Sequence, residues 1–489
     1  MKQKSLKINI ILNMLRTLMG FLFPLITFPY SSRILGPIYI GKVNFAHSII
    51  SYFSLIAGLG ISTYSIREAA KIRDNKEKLS IFVKEVFIIN LISTFVAYIL
   101  FAIALFAVPL FAEYRKLLCI CSISILFTTL GIEYLYSAIE DYTYITIRSI
   151  IFQFISFFLL FIFVHKTDDY LKYAGIAIFS SVGSNLLNFF HARRYLDFNV
   201  KAKLNLKKHL KPIFVFFAMN IAVSIYTILD STMLGFIKGD ESVGIYTAAT
   251  KINRMVIAMI TSATSVLLPR LSYYTKQENN KDFFKLVNQS FKFLILVSIP
   301  CAIGLFVLTK QIILLFSGEK YYSAIEVMKI MNPVIVFISI SNFTGIQILM
   351  SVGKEKITFY SIIAGSVMNL IMNSIFIPSL GAKGAALGTL CAEFTVMLIQ
   401  LIFTFKYINY KEALSHIIKT LLSAIIMGIV VYFSTFIFNN IILQTFIGIV
   451  IGIFSYIICL FLFRDKFFID FTKNIFTKII AKFRSKNNV

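Results

Sequence analysis

Residues 32–48 read SRILGPIYIGKVNFAHS, and residues 231–250 read STMLGFIKGDESVGIYTAAT. Both carry a Leu-Gly step, a short link, a second glycine and the start of an apolar run. Downstream, IREAAKIRDNKEKLSIFVKE (66–85) parallels PRLSYYTKQENNKDFFKLVNQ (269–289), an offset of about 203 residues. At about 20 apolar residues per helical span plus connections, that offset holds roughly six spans. An even number of spans per copy gives parallel repeats, related by an axis along the membrane normal.

The rest of the chain fits this reading. Hydrophobic residues make up 58% of 489, and the mean hydropathy is +0.81. Soluble chains are about half apolar. Apolar stretches centre near residues 19, 53, 97, 127, 154, 181, 223, 255, 297, 337, 367, 394, 426 and 451, about fourteen spans in all. The expected fold is an all-α polytopic membrane protein, because the short alternating strands of a barrel are missing. Its two six-helix lobes, 1–195 and 212–406, are joined by a basic linker, 196–211. A helix pair, 407–463, and a basic amphipathic tail, 464–489, follow.

The net charge of +25 does not call for nucleic acid. In a polytopic protein, Lys and Arg gather in cytoplasmic loops and set the orientation. The segments after spans 2, 6 and 8 and the C-terminal tail hold half of the cations. The alternate loops hold few, so both termini are expected in the cytoplasm. The segment after span 4, with Arg148 beside Glu140 and Asp141, fits least well. The N-terminal MKQKSLKINIILNMLR resembles a signal peptide but runs on without a cleavage site, so it is read as a retained first helix. The tail FFIDFTKNIFTKIIAKFRSK is expected to lie on the inner membrane surface.

Catalytic motifs are missing from the sequence: no HExxH, GxSxG, Walker A or GxGxxG occurs. Cys119, Cys121, Cys301, Cys391 and Cys459 lack metal-ligand spacing and read as buried thiols. Pro24, Pro29, Pro300 and Pro333 fall within spans and permit kinks.

The stretch FPYSSRILGPIYIGKVNFAHSIISYFSLIAGLGISTYSIREAAKIR (28–73) resembles the start of bacterial polysaccharide repeat-unit flippases. These are the Wzx-type O-antigen and capsule transporters of the MOP superfamily. The resemblance implies fourteen helices in two lobes plus a final pair, in the cytoplasmic (inner) membrane of a bacterium. It also implies a substrate, a polyprenyl-pyrophosphate (undecaprenyl) carrier bearing an oligosaccharide. That unit would pass from the inner to the outer leaflet by alternating access. Polymerase and chain-length proteins of the same pathway would be partners alongside membrane lipid. No cofactor is expected beyond a coupling ion, Na+ or H+.

Ionisable groups within spans narrow the candidates, since each costs about 2.5–3.5 kcal/mol in hydrocarbon on insertion scales. Lys251 and Arg254 lie three apart near the middle of span 8, too deep for easy snorkelling. A guanidinium binds two phosphate oxygens in parallel, and an ammonium adds a point charge. The pair is therefore expected to grip the anionic part of the substrate in a water-filled cleft. Arg16, about six residues into span 1, and Arg33, at its outer end, are expected to assist. Asp230 in span 7, Asn369 and Asn373 one turn apart in span 11, and Thr389 and Glu393 in span 12 offer hard oxygen ligands suited to sodium. Related lipid II flippases have a sodium site with an acid on the seventh helix, two Asn/Asp on the eleventh and a Thr on the twelfth. Asp230, Asn369, Asn373 and Thr389 match it, although both span-11 positions are neutral here. Glu393 is an alternative proton carrier. A cation-coupled multidrug exporter of the same superfamily is the competing reading, which the midplane cations disfavour. A membrane polymerase or ligase is a weaker one, because the external loops are short.

Overall fold

The computed structural model describes residues 6–197, 200, 204–264, 267–277, 279–473 and 477. Its helices in chain order are α1 (Leu6–Gly58), α2 (Ile61–Ile72), α3 (Lys76–Ala107), α4 (Phe111–Leu130), α5 (Glu133–Ala138), α6 (Tyr142–Phe163), α7 (Tyr170–Ile178), α8 (Asn185–His191), α9 (Lys207–Lys238) and α10 (Asp240–Thr264). There follow α11 (Leu267–Lys276), α12 (Asn280–Val307), α13 (Thr309–Phe316), α14 (Ala324–Met331), α15 (Val334–Asn342), α16 (Glu355–Leu380), α17 (Ala382–Thr404), α18 (Tyr410–Ser434) and α19 (Ile441–Leu462). All fourteen expected span centres fall on helix. Nine helical stretches among the described residues are long and apolar enough on their own to cross a bilayer. Phenylalanine, leucine and isoleucine side chains stand exposed along α3, α6, α18 and α19, as lipid-facing helices require.

The chain forms two compact units, 1–247 and 248–489. In unit 1, Val83, Val86, Tyr134, Leu135, Tyr136 and Ile145 anchor a core where α2, α3, α5 and α6 meet. In unit 2, Phe283, Phe291, Leu294, Phe343, Met397 and Ala424 gather α12, the turn after α15, α17 and α18.

The duplication is visible in backbone geometry. α1 holds two spans merged across a kink at Gly36, where φ is 72° and ψ is 177°. Gly239, 203 residues on, ends α9 with φ 78° and ψ −174°. Only glycine adopts that conformation without strain. Gly41 and Gly244 are offset by the same interval, and they meet reciprocally. A Cβ on Gly41 would lie 1.7 Å from the Asp240 carbonyl oxygen, and one on Gly244 would lie 1.9 Å from the Pro37 carbonyl oxygen. The two helix starts therefore cross backbone on backbone. The Leu-Gly steps of the sequence are out of this register, because Gly235 does something else: it leaves room for the ring of Phe45, which a Cβ would meet at 2.0 Å.

Gly36, rather than Pro24 or Pro29, breaks α1, and α12 runs through Pro300. Pro333 does mark a boundary, between α14 and α15. Two spans contain wide π turns, at Phe179–Gly183 and Phe343–Leu349. Such turns leave carbonyls open to side-chain donors. Beside the first, Arg148 Nη1 donates to Ser184 O at 2.9 Å; within the second, Thr358 Oγ1 donates to Gly345 O at 3.1 Å.

Candidate functional site

Helix α10 places Lys251 and Arg254 on one face by their spacing. The opposite face packs inward: Ile252, Asn253 and Ile260 are buried. Ile260, with Val256 and Ile257 beside it, packs against Ala302 of α12 and Ile335 of α15. Arg254 stays exposed and Lys251 partly so, and the same stripe continues through Ala258 to Thr261 and Ser262. Arg254 lies about 21 Å from Asp240 and about 15 Å from Thr264 along the axis, at 1.5 Å per residue. A guanidinium held exposed at that depth is tolerable only against water or an anion.

The expected cation ligands fall into both compact units. In unit 1, Asp230 on α9 is buried and accepts a hydrogen bond from the Tyr246 hydroxyl at 2.5 Å. In unit 2, Asn369 and Asn373 on α16 are buried, and Asn373 Nδ2 donates to Asn369 Oδ1 at 3.1 Å. Gly388 of α17 admits them: a Cβ there would lie 2.1 Å from Asn373 Oδ1. One residue on, Thr389 Oγ1 donates to its own helix at Ala385 O, 3.1 Å away, and Glu393 is buried a turn later. Amide, hydroxyl and carboxylate oxygens along α16 and α17 are the donor chemistry of a hard monovalent cation. Among the described residues, no cluster of three or more His, Cys, Asp or Glu could hold a transition metal. The side chain of Arg16 lies outside the described residues. Arg33 is exposed, and its Nη1 donates to Pro29 O at 2.9 Å.

The structure adds clusters that sequence reasoning passed over. Glu85 is buried near the start of α3 and accepts from His209 Nε2 at 2.8 Å, from Lys208 Nζ at 2.8 Å and from the Asn205 backbone at 2.7 Å. The other ring nitrogen of His209 pairs with the Tyr64 hydroxyl at 2.7 Å. With Nε2–H donated to the carboxylate, Nδ1 accepts from Tyr64. The cluster ties α2, α3 and the start of α9 together. Unit 2 has a counterpart: buried His416 on α18 bonds Asp465 Oδ2 at 2.9 Å and Lys292 O at 2.9 Å. The sequence signal for both was a lone acid at the edge of an apolar run and a histidine at the start of another. Arg148 proves buried beneath Tyr144 and near the first π turn, so it carries no topological information. That explains why its loop fitted the charge bias least. Glu140 and Asp141 in the same loop pair with Arg73 at 2.7 Å and the Tyr195 hydroxyl at 2.8 Å.

The chain matches the family "Polysaccharide biosynthesis protein" over residues 6–275 and the MatE family over 216–375. It is 24% identical to the "Putative O-antigen transporter" of Escherichia coli K12 over 390 residues, which are 78% of this chain and 93% of that one. A glycan biosynthesis flippase, Agl15 of Haloferax volcanii, named as probable, is 23% identical over 47% of this chain and 49% of its own. Among solved structures, the lipid II flippase MurJ in an inward closed conformation superposes with a TM-score of 0.75 at 21% identity, covering 93% of this chain and 99% of that one. An inward-facing MATE multidrug transporter of the MOP superfamily gives 0.63 at 16% identity, over 81% and 97%. With its duplicated helical architecture and these relatives, the chain belongs to the polysaccharide biosynthesis protein family and is a multi-pass membrane transporter of the flippase type.

Proposed function

We propose that the protein moves a polyprenyl-diphosphate-linked (undecaprenyl) oligosaccharide repeat unit from the inner to the outer leaflet of a bacterial inner membrane by alternating access, with both termini cytoplasmic. The observation supporting this reading is the face of α10 that carries the exposed Arg254 and the half-buried Lys251. A diphosphate carries charge that cannot cross hydrocarbon uncompensated. Arg254 grips its oxygens as a bidentate donor and Lys251 adds charge beside it, while the polyprenyl tail stays in lipid. Arg33 meets the diphosphate on the outer side and Arg16 on the inner. The six-span lobes 1–195 and 212–406 are the moving bodies, and the polymerase and chain-length proteins of the pathway receive the product. The names of the O-antigen and glycan relatives agree with this substrate class. A cationic face also separates this reading from export of cationic drugs.

Coupling to a cation rests on the oxygens of Asn369, Asn373, Thr389 and Glu393. A bound Na+ would supply a positive charge there; Asp230, held by Tyr246, is a separate carboxylate for a cation or a proton.

Complementation tests the substrate reading. Deleting the gene should abolish surface polysaccharide and leave lipid-linked units inside. At matched expression, Arg254→Ala should cut export at least tenfold, since a charge-assisted hydrogen bond is worth about 1.5–3 kcal/mol. Arg254→Lys should restore part of it. Wild-type export by Arg254→Ala would remove the assigned grip.

A further inference from the structure

At the end of unit 2 that carries its basic segments lies a cavity of about 760 Å³. Its walls are the first turns of α12, the start of α18 and the C-terminal helical segment 466–473. Three ammonium groups line it, those of Lys285, Lys292 and Lys466, together with Phe284, Phe293 and Phe471. Two carboxylates, Glu412 and Asp470, are also present.

These charges are not equivalent. Lys292 is engaged by Glu412 at 3.0 Å, which neutralises that pair. Lys285 and Lys466 are exposed and, among the described residues, hold no ion pair. With Asp470 opposing them, the cavity keeps one uncompensated positive charge beside an aromatic wall. The wall is fixed in place. The ring of Phe471 lies tilted against that of Phe293 at 5.7 Å, Phe468 packs against Leu296 and Leu460, and Asp465 is tied to His416. Phe284 to Phe293 covers about 14 Å of helix rise. A bilayer's headgroup layer is about 5–7 Å thick on each side, so a wall of that length is long enough to reach from the phosphates into hydrocarbon.

From this juxtaposition we infer a binding site for one anionic phospholipid, its phosphodiester between Lys285 and Lys466 and its first acyl carbons on Phe284, Phe293 and Phe471. Asp470 accepts from a headgroup hydroxyl. A free phosphate would leave the aromatic wall unused, and a neutral lipid would leave the excess charge uncompensated. The bound lipid joins the C-terminal segment to the start of α12. This site is independent of the transported substrate, and its test reads binding alone.

The full chain, purified in a mild detergent, is examined by native mass spectrometry with phosphatidylglycerol or phosphatidylcholine added. One phosphatidylglycerol should be retained in clear preference to phosphatidylcholine. At about 1 kcal/mol per lysine, Lys285→Ala and Lys466→Ala should each weaken retention roughly fivefold. Lys466→Arg should keep it, and Asp470→Asn should strengthen it. Phe293→Ala should weaken retention of the lipid without changing its charge preference. Equal retention of the two lipids overturns the inference in favour of ordinary annular contact. Displacement of phosphatidylglycerol by millimolar inorganic phosphate overturns it in favour of a phosphate site. Unchanged retention in the Lys285→Ala/Lys466→Ala double variant overturns it outright.

Discussion

Replacing Gly41 with alanine swaps one hydrogen for a methyl group, a net gain of one carbon and two hydrogens, at a point where the structure has no room for them. The new Cβ would lie 1.7 Å from the Asp240 carbonyl oxygen. Even a close C–H···O contact needs about 3.3 Å. The two helix starts must therefore part by about 1.6 Å, and the obstacle is backbone, which cannot rotate away. Overpacking of this kind costs about 1–3 kcal/mol. For a unit of 247 residues that corresponds to a melting temperature lower by about 2–4 °C per kcal/mol. Gly244→Ala should cost a similar amount, because its Cβ would meet Pro37 O at 1.9 Å. The two substitutions attack one contact. Once the first has forced the helices apart, the second has less left to break, so the double variant should cost clearly less than the sum. Gly175→Ala is the internal control. It lies within α7 with nothing within 4 Å, and alanine there should be neutral or stabilising by up to about 1 kcal/mol. Thermal unfolding of the purified variants in one detergent decides the matter. If Gly41→Ala melts with Gly175→Ala, or if the costs of Gly41→Ala and Gly244→Ala simply add, the reciprocal crossing does not exist.

Other outcomes follow from the buried carboxylates. Glu85→Ala strands His209, Lys208 and the Asn205 amide at once, and should cost about 3–5 kcal/mol in the same melting assay, with Glu85→Gln losing much less. Asp465 lies beyond the last span. Burial pushes its carboxyl up, but hydrogen bonds from His416 and the Phe468 backbone outweigh it and hold the group below its ordinary value. A depressed folded value adds stability above about pH 4, and the gain disappears as pH falls through that depressed value. The chain has no tryptophan, so Phe471→Trp gives a single fluorescent reporter of the C-terminal segment. Its emission should shift toward that of a solvated indole as pH falls through that depressed value, and Asp465→Asn should flatten the change.

The helix count, the duplication and its offset of 203 residues could be read from the sequence because hydropathy and loop charge are one-dimensional signals. Span depth singled out Lys251 and Arg254 as candidates, since a charge far from both ends of an apolar run stands out by position alone. The true register of the repeat did not emerge. Leu35-Gly36 and Leu234-Gly235 look alike as letters, yet Gly36 and Gly239 share a backbone conformation, while Gly235 makes room for a ring. Backbone conformation is set by what crosses nearby, and that information lies some two hundred residues away. The Glu85–His209–Tyr64 cluster was hidden for the same reason: its members come from three segments, and each alone is an ordinary boundary residue. Arg148 misled the loop count because burial, rather than residue type, decides whether a cation faces solvent.

The two π turns store one surplus residue apiece within their spans. Removing that residue would relax the wide turn to an ordinary helical one and swing everything after it by about 100°, one residue's share of a 3.6-residue turn. After the first turn, Asn188 would swing away from Gly131, whose carbonyl it now reaches at 2.6 Å. A shortened chain would keep its helix, length and greasiness and still present the wrong side to its neighbours. At Phe179–Gly183 and Phe343–Leu349, then, this lineage should accept substitutions far more readily than single-codon deletions.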